Sequence, residues 1–320
     1  MHRIVLAALL ALCAAPASVN AQAWPSRPVR IVVPSPPAGG TDIIARVMAE
    51  HFSKAFKQQF FVENRPGAGN MLGIESVARS APDGYTFLMT ASTISLNSVL
   101  YKKVSYDPIK DFAPITIAAT AANILIINPS VPAKTLTEFI AYARKQDGKL
   151  TYGTPGAGTS PHMSMELFKS MAGVKLQHIP YRGTAPALTD VISGQITSMF
   201  SNALTARPQI EAGKVRALGA STPKRSITLP DVPTIAEAGV PGYEATQWYG
   251  FLAPAGTPPA IIAQIHAEAV KTLNSAAMQE KLAHDGAEPA PSTPEALGAH
   301  IRNEIEKWRK VAQAAGIQPQ

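Results

Sequence analysis

Apolar and polar positions fall into paired blocks along this chain. Val29, Ile31, Val32 and Val33 form a short β-branched run, which predicts a buried strand. Pro34, Pro36, Pro37, Gly39 and Gly40 break it into a loop. Ile44, Val47, Met48, His51 and Phe52 then recur at helical spacing, with Thr41 or Asp42 placed to cap the helix. The pattern continues as a strand over 59–64, a loop over 65–70 and a helix over 71–79. A turn at 82–84, a strand over 85–89 and a helix from 90–93 to about 101 follow. Alternation of this kind predicts a parallel sheet covered on both faces.

The stretch 112–128 is long, apolar and β-rich, more than one strand needs. A strand crossing between two domains explains it. Thr135 and Glu138 form a capping box that opens a helix over 135–145. A second series follows: strand 150–153, glycine loop 154–160, helix 161–171, strand 175–181, helix 185–192 and strand 195–200. A loop at 201–202 and a strand over 215–220 complete it. Residues 222–241 are proline-rich, 243–252 reads as a return crossing, and helices are expected over 259–274, 276–284 and 294–315. The expectation is an α/β protein of two lobes joined by two crossing strands. Lobe 1 is 24–121 plus 247–320, and lobe 2 is 122–246. Pro-Gly-Ala-Gly occurs at 66–69 and again at 155–158, and a strand–glycine loop–helix unit opens each half. Ligands in such folds sit where strand ends and helix N-termini converge.

Composition narrows the partners. Of 320 residues 46% are hydrophobic and 16% charged, with a formal charge of +7, which suits a globular chain. The basic residues are scattered, which argues against nucleic acid. Residues 1–23 read as a secretory signal peptide: Arg3, an apolar stretch over 4–15, and a small-x-small site at Ala21 and Ala23. The mature chain would begin at Trp24. Cys13 is the only cysteine, and Leu12 before it is too large for a lipoprotein signal. Beyond residue 23 the chain therefore has no disulfides, thiolate nucleophile or cysteine–zinc site.

Helix N-termini behind glycine loops can hold an anion through backbone N–H groups alone. The loops at 38–42 and 156–160 are such elements, or else plain turns; facing each other they would grip an anion from two sides. Asp42 is either a ligand for an amine or a helix-start cap, and His162 either a base or a structural residue. Trp248 and Tyr249 wall a pocket or pack in the core. Asn64, Asn202 and Arg182 follow strands and can meet a polar ligand or serve the surface. Gly-x-Ser-x-Gly, His-Glu-x-x-His, a Walker lysine and Gly-x-Gly-x-x-Gly are absent, and the seven histidines do not cluster. No catalytic residue, metal ligand or cofactor site is assigned.

The motifs taken together resemble the Bug family, the extracytoplasmic solute receptors of tripartite tricarboxylate transporters of TctC type. They are Trp24 to Pro34, Ala38-Gly-Gly-x-Asp42 with Ala45 and Arg46, Val62 to Gly69, Pro82 to Thr86, and Tyr152 to His162. Tyr181-Arg-Gly, Ile192-Ser-Gly-Gln195, Pro233 to Gly239 and Trp248 to Pro258 continue them, so the resemblance covers nearly the whole chain after residue 23. It implies a periplasmic type II binding-protein (Venus flytrap) fold with a small mono-, di- or tricarboxylate, possibly aromatic, between the lobes, held partly through ordered water. Carried to this sequence, the gripping residues are Ala38, Gly39, Gly40, Thr41 and Asp42, and Gly158, Thr159, Ser160 and His162. Thr90, Ala91, Ser92, Tyr181 and Asn202 stand beside them. Ser35, Pro36 and Pro37 depart from the family's aromatic and small residues. The implied partners are the carboxylate and the transporter's membrane components, and a monomer is expected. A periplasmic hydrolase using His162, and a sensor presenting the same ligand, are the alternatives.

Overall fold

A computed structural model describes residues 24–37, 39–284 and 286–319, apart from the side chains of Leu204 and His284. The signal-peptide reading, its cleavage site, Cys13 and Ala38 fall outside the described residues.

The first lobe is built as β1 (Val29–Val33), α1 (Gly40–Phe56), β2 (Phe60–Asn64), α2 (Met71–Ala78), β3 (Thr86–Ala91), α3 (Thr93–Leu100) and β4 (Phe112–Ala121). The chain then crosses into the second lobe as β5 (Asn123–Ile127), α4 (Leu136–Gln146), β6 (Thr151–Thr154), α5 (Ser160–Ala172) and β7 (Gln177–Pro180). That lobe is completed by α6 (Thr184–Ser193), β8 (Ser198–Asn202), α7 (Ala203–Glu211) and β9 (Arg216–Ala220). It returns to the first lobe as β10 (Gln247–Pro254), α8 (Pro259–Leu273), α9 (Ala276–His284), β11 (Ala287–Pro289) and α10 (Pro294–Ala314).

The first sheet runs β11-β4-β10-β3-β1-β2 and the second β7-β6-β8-β5-β9. Both lobes thus share one arrangement, in which the second, first and third strands lie side by side, followed by an incoming strand and then the fourth. The incoming strands are antiparallel to their neighbours: β5 to β8 and β9, and β10 to β3 and β4. This corrects the expectation of wholly parallel sheets. A strand arriving from the other lobe enters at the hinge, where its neighbours end, so it must run back along them. The long stretch 112–128 divides at Ala122, and each half pairs in a different sheet.

Other boundaries moved for local reasons. Thr90 and Ala91 finish β3, and the helix starts only at Thr93. Ser201 and Asn202 are strand rather than loop, because they pair with Ile124 and Asn123. Helix α7 contains Pro208, which hides it from a propensity reading. The Thr135 half of the capping box forms, with Thr135 Oγ1 accepting from the Glu138 N–H at 3.2 Å, while the Glu138 carboxylate accepts from the N–H of Lys134, one residue before the cap, at 2.6 Å.

Period-two alternation sorts the core. Val29, Ile31 and Val33 face α1, α8 and α9, packing with Met48, Phe52, Ile265 and Leu273. Val32 and Leu88 face the opposite layer, which holds Ile74, Ile94, Leu297 and Ile301. That second layer continues into lobe 2 through Trp248 and Tyr243 to Phe139, Phe168 and Phe200. Helix α10 packs on α3 of lobe 1 and on α5 of lobe 2. Its buried Glu304 accepts from the indole N–H groups of Trp308 (2.7 Å) and Trp248 (3.3 Å).

Candidate functional site

The strand ends of the first lobe nearest the crossings carry one half of the candidate site. Gly39, extended at φ −87°, caps α1 without any side-chain bond, and its carbonyl accepts from the N–H groups of Asp42 (2.9 Å) and Ile43 (3.0 Å). The N–H groups of Gly40 and Thr41 precede that first helical bond, where partial positive charge accumulates. A Cβ on Gly40 would stand 2.7 Å from the Tyr249 hydroxyl, so a larger residue there displaces the Tyr249 side chain. Neither Thr41 nor Asp42 is the cap. Asp42 turns inward and is 2% exposed. Its carboxylate accepts from Arg46 Nε (2.9 Å) and from Asn64 Nδ2 (2.9 Å), and Asn64 also donates to the Ser35 carbonyl at 3.1 Å. The Asp42 carboxylate in turn holds the Arg46 guanidinium above its ordinary pKa. Asp42 therefore fastens α1 to the ends of β1 and β2.

Thr90 and Ser35 lie at the ends of the paired strands β3 and β1. Their hydroxyl oxygens are buried without a hydrogen-bond partner among the described residues. Buried polar atoms cost free energy until something bonds to them, so these strand ends suit a polar guest or ordered water. Ala91 pairs with Tyr249. Ser92 opens α3, donates its N–H to the Trp248 carbonyl (3.1 Å) and donates its hydroxyl to Gln247 Oε1 (3.1 Å).

The second lobe supplies a loop of similar build. Gly156 and Gly158 have φ of +151° and +75°, and Thr159 caps α5 from an extended backbone. The Thr159 hydroxyl is turned back to the Gly156 carbonyl at 2.8 Å. Ser160 Oγ accepts from Asn123 Nδ2 at 2.9 Å, which leaves its O–H to donate elsewhere. Asn123 pairs with Asn202 in the β5–β8 register. Tyr181 joins the loop through its N–H to the Thr154 carbonyl (2.9 Å), but its hydroxyl is committed to Asp190 at 2.6 Å. Burial and Asp190 push that phenol up to about 12. Arg182 is exposed.

His162 is buried, and its Nδ1 accepts the N–H of Gly158 at 3.1 Å. That bond fixes the tautomer with the proton on Nε2. The ring stacks on His178 at 4.3 Å, and Tyr152 stacks on His178 at 5.0 Å. Burial, with the second imidazole beside it, pushes His162 down to about 4. A neutral ring whose acceptor nitrogen is already used holds the loop's shape and is poorly equipped as a base.

The predicted residues thus gather on two shelves. Gly39 to Asp42 and Thr90 to Ser92 belong to lobe 1, linked by Tyr249 and Gln247. Gly158 to Ser160, His162 and Asn202 belong to lobe 2, linked by Asn123. Gln247 pairs with Ala121, two residues before Asn123, so the two link residues flank the first crossing. The sequence reading passed over Asn123 and Gln247; a lone amide inside each apolar crossing was the available signal. Near the second shelf, Gly158 meets α3 of lobe 1. A cavity of about 240 Å³ opens there, between Thr93, Asn97 and Leu100 on one side and Gly158, Thr159 and His162 on the other. Among the described residues no group of acidic, histidine and cysteine side chains is placed to hold a metal ion.

The model of the tripartite tricarboxylate transporter family receptor matches residues 44–317. Protein BugT of Bordetella pertussis is 32% identical over 314 residues, covering 98% of this chain and 96% of that protein. The structure of R. palustris Rpa4515 with adipate is 38% identical with a TM-score of 0.79, covering 93% of this chain and all of that one. MatC (Rpa3494) from Rhodopseudomonas palustris with bound malate is 32% identical with a TM-score of 0.75, covering 90% and 99%. The chain belongs to the tripartite tricarboxylate transporter receptor family.

Proposed function

We propose that this receptor captures a small organic carboxylate between its two lobes and passes it to the membrane components of a tripartite tricarboxylate-type transporter. Adipate and malate in related structures support a carboxylate as the ligand class. The carrying observation in this chain is the pair of buried hydroxyls, Ser35 and Thr90, left without partners at the strand ends beside the Gly39–Gly40 helix start. An anion seated there is held by neutral dipoles: N–H groups of α1, hydroxyls, and the Ser160 O–H from the other lobe. In this reading the ligand contacts are residues 38–41, 90–92, 158–160 and 202, with Asp42 and His162 acting from behind. The domains are 24–121 with 247–320 and 122–246, pivoting at 121–123 and 245–247. Ligand contact with both lobes favours their closure. The working location is the periplasm, after cleavage near Ala23. The locked, neutral His162 weighs against the hydrolase alternative.

The test is a thermal-shift screen of mono-, di-, tri- and aromatic carboxylates, followed by calorimetry. A ligand at about 100 times its Kd adds roughly 2.7 kcal/mol and raises Tm. Ser160→Ala should weaken binding, with a modest fall in Tm of the free protein because the buried Asn123 amide loses its 2.9 Å acceptor. No stabilisation by any carboxylate would sink the proposal, and ester turnover lost in His162→Ala would favour the hydrolase.

A further inference from the structure

Two hydroxyls and two imidazoles hold the glycine loop of the second lobe from beneath. We propose that His178 is a positioning residue of this loop: through Thr154 it turns the Gly156–Ala157 peptide so that the Ala157 N–H faces the space between the lobes. The inference rests on the receptor reading above and adds to it a residue that lies outside the ligand contacts.

Tyr152 pairs with His178 in the β6–β7 register, and Thr154 lies two residues on, on the same face of β6. The imidazole stacks on Tyr152 at 5.0 Å and on His162 at 4.3 Å, and its Nε2 comes within 2.7 Å of Thr154 Oγ1. Thr154 is fully buried. Its hydroxyl has two further neighbours, the Gly156 N–H at 3.3 Å and the Gly156 carbonyl at 3.2 Å. A hydroxyl gives one proton and accepts through two lone pairs. With the proton of His178 on Nε2, all three contacts are hydrogen bonds: the imidazole and the Gly156 N–H donate to the hydroxyl, which donates to the carbonyl. With that proton on Nδ1, the hydroxyl must turn to His178, and its bond to the carbonyl is lost. The first arrangement makes one bond more, so the geometry assigns the Nε2–H tautomer to His178. The Gly156 carbonyl also accepts from the Thr159 hydroxyl at 2.8 Å, so two hydroxyls draw it into the lobe. In a trans peptide the carbonyl and the following N–H point opposite ways, which turns the Ala157 N–H outward. The Gly156 and Gly158 N–H groups are spent on Thr154 and His162. The Ala157 N–H has no acceptor among the described residues, and Ala157 borders the cavity between the lobes. His178 thus sets the direction of the loop donor that remains free.

Paired variants separate positioning from packing. His178→Phe keeps a stacked ring and removes the donor, while His178→Gln keeps a donor near the Nε2 position and removes the ring. Thr154→Val removes the hydroxyl at nearly equal volume, and Thr154→Ser keeps it. The probe is the carboxylate that gives the largest thermal shift. Calorimetry should show its affinity lowered about three- to tenfold in His178→Phe and in Thr154→Val, the range of one hydrogen bond, and close to wild type in His178→Gln and Thr154→Ser. The double variant of His178→Phe and Thr154→Val should bind no worse than the weaker single one, because the two residues act as one relay. Burial holds His178 below its ordinary pKa, so the ring is neutral at pH 8, and the nitrogen-15 spectrum of histidine-labelled protein should show its proton on Nε2. Should Thr154→Val not fold, the His178 pair and the spectrum carry the test. A proton on Nδ1, additive losses in the double variant, or equal affinity in His178→Phe and His178→Gln overturns the inference and leaves the receptor reading standing. A wild-type protein that binds no carboxylate removes both.

Discussion

Replacing Gly158 by alanine should separate two costs that the structure assigns to different states. The first is backbone strain. Gly158 sits at φ +75°, where a side chain costs about 1–2 kcal/mol, partly offset by the reduced entropy of the unfolded chain. That cost is present whether the lobes are together or apart. It should lower Tm by about 2–4 °C for each kcal/mol. The second cost arises only where the lobes meet. The new Cβ would lie 2.8 Å from Leu100 Cδ1 on α3, while carbon atoms rest at about 3.5–4.0 Å. Leu100 is 7% exposed and must move off its preferred rotamer, at about 0.5–1.5 kcal/mol. Ligand binding that brings the lobes together should therefore weaken by about two- to tenfold. The assay is calorimetry with the carboxylate that gives the largest thermal shift, on wild type, Gly158→Ala, Leu100→Ala and the double variant. The cycle should show a coupling in affinity, since removing Leu100 relieves the clash, while the strain on Tm persists in both backgrounds. Unchanged affinity in Gly158→Ala, or a loss that Leu100→Ala does not relieve, would refute the idea that binding needs this approach of the lobes.

Lowered pH should loosen the second shelf. His162 is pushed below its ordinary value of 6.5 to about 4, first by burial and then by His178, so its stabilisation is complete above about pH 6.5 and is lost as pH falls toward 4. Thermal denaturation across that window should show stability falling by up to about 1.4 kcal/mol per pH unit per proton, with a shallower fall in His162→Gln; identical slopes would count against it. Asp42→Ala should cost about 1–3 kcal/mol in urea denaturation, because it removes a buried carboxylate that bonds both Arg46 and Asn64; lost ligand affinity with intact stability would instead make Asp42 a direct contact. Asn123→Ala should lower ligand affinity several-fold by releasing Ser160, at a stability cost near 1 kcal/mol, and an affinity equal to wild type would remove Asn123 from the site.

The sequence alone determined most of the strands and helices, though not α7 or β11, the two-lobed plan, and the glycine loops at the two helix starts. Those features are local. β-branched runs, helical spacing and glycine fix backbone geometry without help from distant residues, which is why Val29 to Val33 and the Thr135 cap appear where expected. The tertiary structure decided what those local features do. The strand direction of β5 and β10 depends on where the chain re-enters a lobe, which no window of sequence contains. Asp42 looked like a cap because helix-start aspartates often are; Asn64 and Arg46 made it a fastener. His162 was open between base and structural residue, and the Gly158 N–H with the stacked His178 made it neutral and structural. Asn123 and Gln247 joined the candidate site only when the crossings came together beside the shelves. The meaning of a polar side chain lies in its partners, and partners brought from a hundred residues away are set by packing.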